Sequence, residues 1–231
     1  WATFADGTST AASATVTGLT NGTAYTFRVS ATNAAGTGAT SVVSAAVTPA
    51  AVPGPPTSVA GTAGNTQVSL TWTAPADVGG SAITDYVVQS SPDGTTYTTF
   101  ADGTSTTTAA TVTGLANGTA YTFRVAAVNA AGTSNYSTVS AAVTPRTVPN
   151  APTSVAGTAG NTQVSLTWTA PNNGGSAITD YVVEFNDGVS WATFADGTST
   201  SASATVTGLT NGTAYTFRVS ATNAAGTGAT S

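Results

Sequence analysis

The chain has 231 residues, of which only 6% are charged, and four arginines and nine acidic residues give it a net charge of −5. Four arginines cannot build a surface that tracks phosphates, which excludes nucleic acid as a partner. The lack of histidine and cysteine excludes disulfides and the usual catalytic and metal-binding clusters, and no apolar stretch reaches the roughly 18 residues of a membrane-spanning segment.

Three copies of one segment divide the chain. Trp1–Ser41 returns as Trp191–Ser231 with a single change, Ala11 to Ser201, and Tyr97–Ser137 is a looser copy. A period of about 95 residues is typical of tandem domains. The sequence predicts the C-terminal part of a repeat at 1–49, a complete repeat at 52–145 and a repeat lacking its last strand at 148–231.

Because the predicted repeats at both ends are incomplete, the first expectation is that the chain is a stretch of a longer array. The alternative is strand donation between molecules, with Val42–Val47 filling a gap in a neighbouring copy. In either case the partners would be copies of the chain or neighbouring repeats.

The middle repeat predicts seven short strands. In the second, Val68, Leu70 and Trp72 alternate with polar residues, which is typical of a half-buried strand. Asp93-Gly94 marks a tight turn. Turn signals every 8 to 12 residues or so indicate an antiparallel two-sheet sandwich. In chain order the predicted strands are 57–63, 67–73, 83–90, 97–101, 109–115, 120–129 and 138–144.

Tyr121 begins the sixth strand six residues after Leu115, a spacing that predicts a tyrosine corner. Together with Leu-Thr-Trp at 70–72, Asp85-Tyr86 and Leu-x-x-Gly-Thr-x-Tyr-x-Phe-x-Val from Leu115, this pattern resembles the fibronectin type III family. The resemblance implies an all-β chain of tandem seven-stranded antiparallel β-sandwiches. No Arg-Gly-Asp occurs, so the integrin-binding tripeptide of some members does not carry over.

The acidic residues point to structure rather than catalysis. Asp85 and Asp180 precede the core tyrosine of the third strand, and a catalytic role would need a histidine or a second acid beside them. Most other acids stand in Asp-Gly turns, where aspartate is favoured for its turn geometry. We therefore expect no catalytic, cofactor-binding or metal-binding residues and no enzyme activity. The Asp-Gly acids are Asp6, Asp93, Asp102, Asp187 and Asp196.

Six residues are candidates for partner contacts. The arginines of the sixth strand lie between inward residues, so they face outward and either hold a glycan or an acidic partner or are simply solvated. The edge aromatics either stack on a sugar or pack against a neighbouring strand or domain. The arginines are Arg28, Arg124 and Arg218, and the aromatics are Trp1, Tyr97 and Trp191.

The turns and linkers offer two further clues. Asn21, Asn117 and Asn211 stand in Asn-Gly-Thr, which matches the N-glycosylation pattern but is also explained by the turn of the tyrosine corner. The linkers 48–56 and 144–152 are rich in proline and contain no carboxylate. They predict stiff connectors that are not stiffened by calcium.

These features favour a structural role. The first hypothesis is a spacer array that forms a surface stalk or an extracellular fibre, outside the cell or on its surface. One alternative is an adhesin module that binds a glycan or a surface protein. The other is an accessory region of a secreted polysaccharide-degrading enzyme.

Overall fold

The computed structural model describes residues 1–5 and 7–231, so the turn predicted at Asp6 lies outside the described residues. Over these ranges the secondary structure consists of short strands without helices. Accordingly, the described residues contain no helix that could cross a membrane. The prediction of an all-β chain is confirmed.

Each repeat contributes its own strands, numbered here along the chain. The first repeat has β1 (Thr32–Asn33) and β2 (Gly36–Thr37). The middle repeat has β3 (Thr57–Gly64), β4 (Gln67–Thr73), β5 (Ile83–Ser91), β6 (Thr98–Thr99), β7 (Ala109–Thr113), β8 (Thr122–Asn129) and β9 (Gly132–Thr133). The third has β10 (Thr153–Gly160), β11 (Gln163–Thr169), β12 (Asp180–Asn186), β13 (Trp191–Thr193), β14 (Ser203–Thr207), β15 (Thr216–Asn223) and β16 (Gly226–Thr227).

The middle and third repeats are sandwiches of two antiparallel sheets. In the middle repeat the strand orders are β3-β4-β7 and β6-β5-β8-β9. In the third repeat they are β10-β11-β14 and β13-β12-β15-β16. Both repeats therefore share one topology with seven strands, as the sequence predicts.

The core lies between the two sheets because one side chain in two points inward along each strand. Leu70 and Trp72 of β4 meet Tyr86 of β5 and Phe123 of β8, and all four are buried. The Trp72 and Tyr86 rings pack edge to face with centroids 5.2 Å apart. Each such side chain stabilises its repeat by about 1.5–3 kcal/mol through burial.

The tyrosine corner is present in all three repeats. In the middle repeat the Ala116 amide donates to the Tyr121 hydroxyl at 3.2 Å. The Thr20 amide donates to Tyr25 at 3.0 Å, and this bond lowers the pKa of the Tyr25 phenol. The predicted corner is therefore confirmed.

The aspartates before the core tyrosines hold a loop in place. The Asp85 carboxylate accepts the Ser105 amide at 2.9 Å, and Asp180 accepts the Ser199 amide at 3.0 Å. In the middle repeat this bond fastens the loop before β7 to β5. In the third repeat it fastens the loop before β14 to β12. This agrees with the structural interpretation of these acids.

The predicted seventh strand is displaced. The seventh strand of the middle repeat is β9, and of the predicted range 138–144 only Val143 forms a bridge, to Tyr121. In the third repeat β16 corresponds to β9, and the expectation that residues 148–231 lack their last strand, the counterpart of 138–144, stays a prediction.

A row of serines replaces a regular ladder after β9. Each serine makes two hydrogen bonds to one residue of β8, at 2.8–3.1 Å. The serine N–H donates to the carbonyl of that β8 residue, and the serine Oγ accepts its amide N–H. Three residues of this segment therefore advance along two residues of β8. The sequence analysis missed this pattern, although serine at every third position signals it. The pairs are Ser134–Ala127, Ser137–Val125 and Ser140–Phe123.

The described part of the first repeat has no opposing sheet. Val29 is 72% exposed, whereas its counterparts Val125 and Val219 are fully buried. Ser44 bonds Phe27 and Val47 bonds Tyr25, so residues 42–47 lie against their own repeat. Strand donation between molecules stays a prediction.

Candidate functional site

The predicted arginines and edge aromatics form pairs on the outer face of each repeat. The Arg28 guanidinium lies over the Trp1 ring, with Cζ 4.2 Å from the ring centroid. Arg218 lies over Trp191 at the same distance of 4.2 Å. Cation–π contacts of this geometry contribute about 0.5–1 kcal/mol at exposed sites. The structure thus joins two sets of candidates that the sequence analysis treated separately.

The middle repeat forms the pair differently. The Arg124 Cζ lies 3.9 Å from the Tyr97 centroid and 4.4 Å from that of Tyr136. The Arg124 Nε also donates to the Gln89 side chain at 2.8 Å. Two tyrosines and an amide therefore surround this guanidinium.

In the third repeat a carboxylate takes the place of Gln89. Arg218 donates to Glu184 through Nε at 2.8 Å and Nη2 at 3.0 Å, a bidentate ion pair. The hydrogen bond from Arg218 lowers the pKa of the Glu184 carboxyl, and Glu184 in turn raises the pKa of Arg218. The Trp191 ring beside this pair stays 40% exposed.

The sequence analysis identified the arginines and three of the aromatics but missed Gln89, Glu184 and Tyr136. Glu184 faces Arg218 across the β12–β15 pair, and Gln89 faces Arg124 across the β5–β8 pair. The strand register would have placed Glu184 and Gln89 opposite these arginines, but a single sequence does not give the register. Whether these faces bind a partner stays a prediction.

The junction between the first and middle repeats is closed by backbone hydrogen bonds. The Gly22 amide of the first repeat donates to the Pro49 carbonyl at 2.9 Å. Two residues later, the Ala51 amide donates to the Gly79 carbonyl of the middle repeat at 2.9 Å. Both repeats thus hold the linker within three residues.

The junction between the middle repeat and the third repeat has the same arrangement. Gly118 donates to the Pro145 carbonyl at 2.9 Å, and Thr147 donates to Gly174 at 2.8 Å. The Arg146 amide between them donates to the Gly64 carbonyl at 3.0 Å. Three successive residues of this linker, 145–147, are therefore each held by a backbone hydrogen bond.

Glycine pairs bring the neighbouring repeats into backbone contact. A Cβ on Gly80 would lie 2.2 Å from the Gly22 nitrogen, and a Cβ on Gly175 would lie 2.4 Å from the Gly118 nitrogen. No side chain fits at either position, and Gly80 and Gly175 both have positive φ, +77° and +87°. The Gly-Gly loop is therefore needed for close docking.

Two of the Asn-Gly-Thr turns, at Asn117 and Asn211, are held within their own repeats. The Asn117 Oδ1 accepts the Thr66 amide at 2.8 Å, and its Nδ2 donates to Asn65 at 2.8 Å. Thr66 has a φ of +54°, which is strained for a β-branched residue. These bonds favour the structural interpretation of Asn117 over the glycosylated one.

The comparisons with known proteins identify the family of the chain. The sequence profile of the fibronectin type III domain matches residues 4–47, 54–143 and 150–231. The chain belongs to the fibronectin type III family. The repeat limits predicted from the sequence, 1–49, 52–145 and 148–231, stay a prediction in their detail.

One curated protein and one solved structure are similar to this chain. The chain is 35% identical over 229 residues to exoglucanase B of Cellulomonas fimi; the match covers 95% of the chain and spans 20% of that enzyme's length. The crystal structure of the chicken CNTN1 FN1–FN3 domains is 25% identical, covering 78% of this chain and 64% of that one, with a TM-score of 0.41. Fibronectin type III repeats are thus the part that this chain shares with a glucan-degrading enzyme.

Proposed function

We propose that this chain is a rigid extracellular spacer that holds whatever lies at its two ends at a fixed distance and orientation. The observation that carries the proposal is that both junctions are closed by the same pattern of backbone hydrogen bonds. At each junction an Asn-Gly turn holds one end of the linker and a Gly-Gly loop holds the other.

Composition supports the extracellular setting. Trypsin-like proteases can cut only after four arginines, and three of these are stacked on aromatic rings. Only Arg146 lies in a linker, and its amide is bonded to Gly64. A spacer with few accessible cleavage sites would persist among secreted proteases.

The test measures the distance distribution between two repeats. The chain has no cysteine, so Thr111→Cys and Thr205→Cys place one spin label on an exposed site of β7 and one on the matching site of β14. Pulsed electron paramagnetic resonance should give one narrow distance peak. The matched control inserts about five Gly and Ser residues between Arg146 and Thr147, which should broaden the peak as in a flexible coil. A wild-type distribution as broad as that of the insertion variant would refute the proposal.

A second candidate function is glycan binding as an accessory region of a polysaccharide-degrading enzyme. The specific observation is that Trp1 and Trp191 keep 71% and 40% of their surface exposed while an arginine lies on one side of each ring. An exposed ring beside a guanidinium offers both stacking and hydrogen bonds to a sugar. The likeness to an exoglucanase suggests a glucan as the ligand.

Retention on insoluble cellulose tests this candidate. The double variant W1A/W191A should lose retention, while Val189→Ala, at an 88% exposed site near Trp191, should keep it. Equal retention of the wild type and the double variant would remove the tryptophans from consideration as a glucan site.

A further inference from the structure

A buried asparagine ends the sixth strand of the middle repeat and of the third repeat. Asn129 and Asn223 are only 4% and 5% exposed, which is unusual for a carboxamide. The Asn129 Nδ2 donates to the Ala51 carbonyl at 2.8 Å and to the Val78 carbonyl at 2.9 Å. Ala51 belongs to the linker and Val78 to the Gly-Gly loop, so one amide joins both to β8.

The second junction has the same contacts. The Asn223 Nδ2 donates to the linker carbonyl of Thr147 at 2.8 Å and to the Asn173 carbonyl at 2.7 Å. These bonds span 76 and 50 residues of sequence. The two linkers differ in sequence at Ala51 and Thr147, yet the carbonyl at each position accepts the same bond.

The oxygen and the NH₂ group of this carboxamide bond different parts of the repeat. The Asn223 Oδ1 accepts the Ala225 amide at 2.7 Å and so shapes the turn before β16. In the first repeat, the exposed counterpart Asn33 makes the equivalent bond to Ala35 at 2.9 Å. The oxygen therefore serves the turn in all three repeats, and the NH₂ group serves the linker at both junctions.

We infer that Asn129 and Asn223 are the positioning residues that fix each repeat on the linker that precedes it. The carboxamide suits this task because it carries two donors and an acceptor on one short side chain. An aspartate of the same shape keeps one oxygen as the acceptor for the turn, but its other oxygen, also an acceptor, replaces the NH₂ group and faces the linker carbonyl without a proton to donate. This inference rests on the proposed spacer function, since it names the residue that holds the junction rigid.

Limited proteolysis with trypsin tests the inference, because Arg146 in the second linker is next to Thr147. Cleavage at Arg146 requires the hydrogen bonds of the linker to break. The rate of cleavage therefore reports opening of the junction. Asn223→Asp should raise the rate of cleavage at Arg146 by about tenfold or more, the effect of losing buried hydrogen bonds. Asn223→Ala, which buries no charge, should act in the same direction.

The matched control is Asn129→Asp. It disturbs the first junction, whose linker 48–56 has no arginine, so cleavage at Arg146 should keep the wild-type rate. Cleavage at Arg218 in β15 reports unfolding of the third repeat and should not change in Asn223→Asp. Mass spectrometry of the fragments separates the two sites.

The outcomes separate the inference from the function on which it rests. Wild-type cleavage at Arg146 as fast as in the variant with the Gly and Ser insertion would refute the rigid spacer itself. A protected wild type with an equally protected Asn223→Asp would keep the spacer and overturn the role of Asn223. Equal acceleration at Arg218 and Arg146 would also overturn it, because the asparagine would then stabilise the repeat rather than the junction.

Discussion

The serine row beside β8 makes a quantitative prediction about Ser137. Its Oγ accepts the amide of Val125 at 3.1 Å, Val125 is fully buried, and Ser137 itself is 7% exposed. In Ser137→Ala the Val125 amide has no acceptor and no access to water. A buried donor left unpaired costs about 1–3 kcal/mol. For a repeat of this size each kcal/mol lowers the melting temperature by about 4–8 °C.

Hydrogen exchange followed by mass spectrometry along a urea titration measures this effect repeat by repeat. Peptides that cover residues 121–137 are distinct in sequence from the other copies, so they report the middle repeat alone. The control is Thr138→Ala, an exposed neighbour, which should stay within about 0.5 kcal/mol of the wild type. If Ser137→Ala is no more destabilising than this control, the serine is not the acceptor that the buried amide needs.

Three further predictions follow from the same structure. Leu70→Ala should destabilise the middle repeat by about 2–5 kcal/mol through loss of buried contacts, measured by the same titration against exposed Ser69→Ala. Tyr121→Phe should cost about 0.5–1.5 kcal/mol because the Ala116 amide loses its acceptor, which thermal unfolding will show. Glu184→Gln should remove part of the acid sensitivity of the third repeat. The folded-state pKa of Glu184 is lowered, so its stabilising effect is present above the ordinary glutamate pKa and is lost as the pH falls through the lowered value. The stability gap between wild type and variant should therefore close on acidification, and a constant gap would contradict the ion pair.

Much of the fold could be predicted from the sequence because its causes are local. Alternation at Val68, Leu70 and Trp72 defines one face of β4, and the spacing of Leu115 and Tyr121 defines the corner. The exception is the segment after β9. There the serines replace backbone acceptors with side-chain oxygens, so the period of two on which strand prediction relies does not apply.

The candidate residues were predictable one by one, but their arrangement was not. Arg218 and Glu184 are 34 residues apart, and Asn129 and Ala51 are 78 residues apart. Only the register of β12 with β15 places Glu184 opposite Arg218. In the local sequence Asn129 looks like an ordinary turn residue. Nothing there reveals that its side chain also holds a linker.

The sequence by itself therefore determined the family, the number of repeats, most strands and the core, because alternation, turn residues and repetition act over a few residues. Tertiary structure alone decided how Arg124 is enclosed by two tyrosines, how Ser137 replaces a strand ladder and how both linkers are fastened. These contacts join residues distant in the chain, and they exist only after the sheets have paired and the glycine loops have brought one repeat against the next.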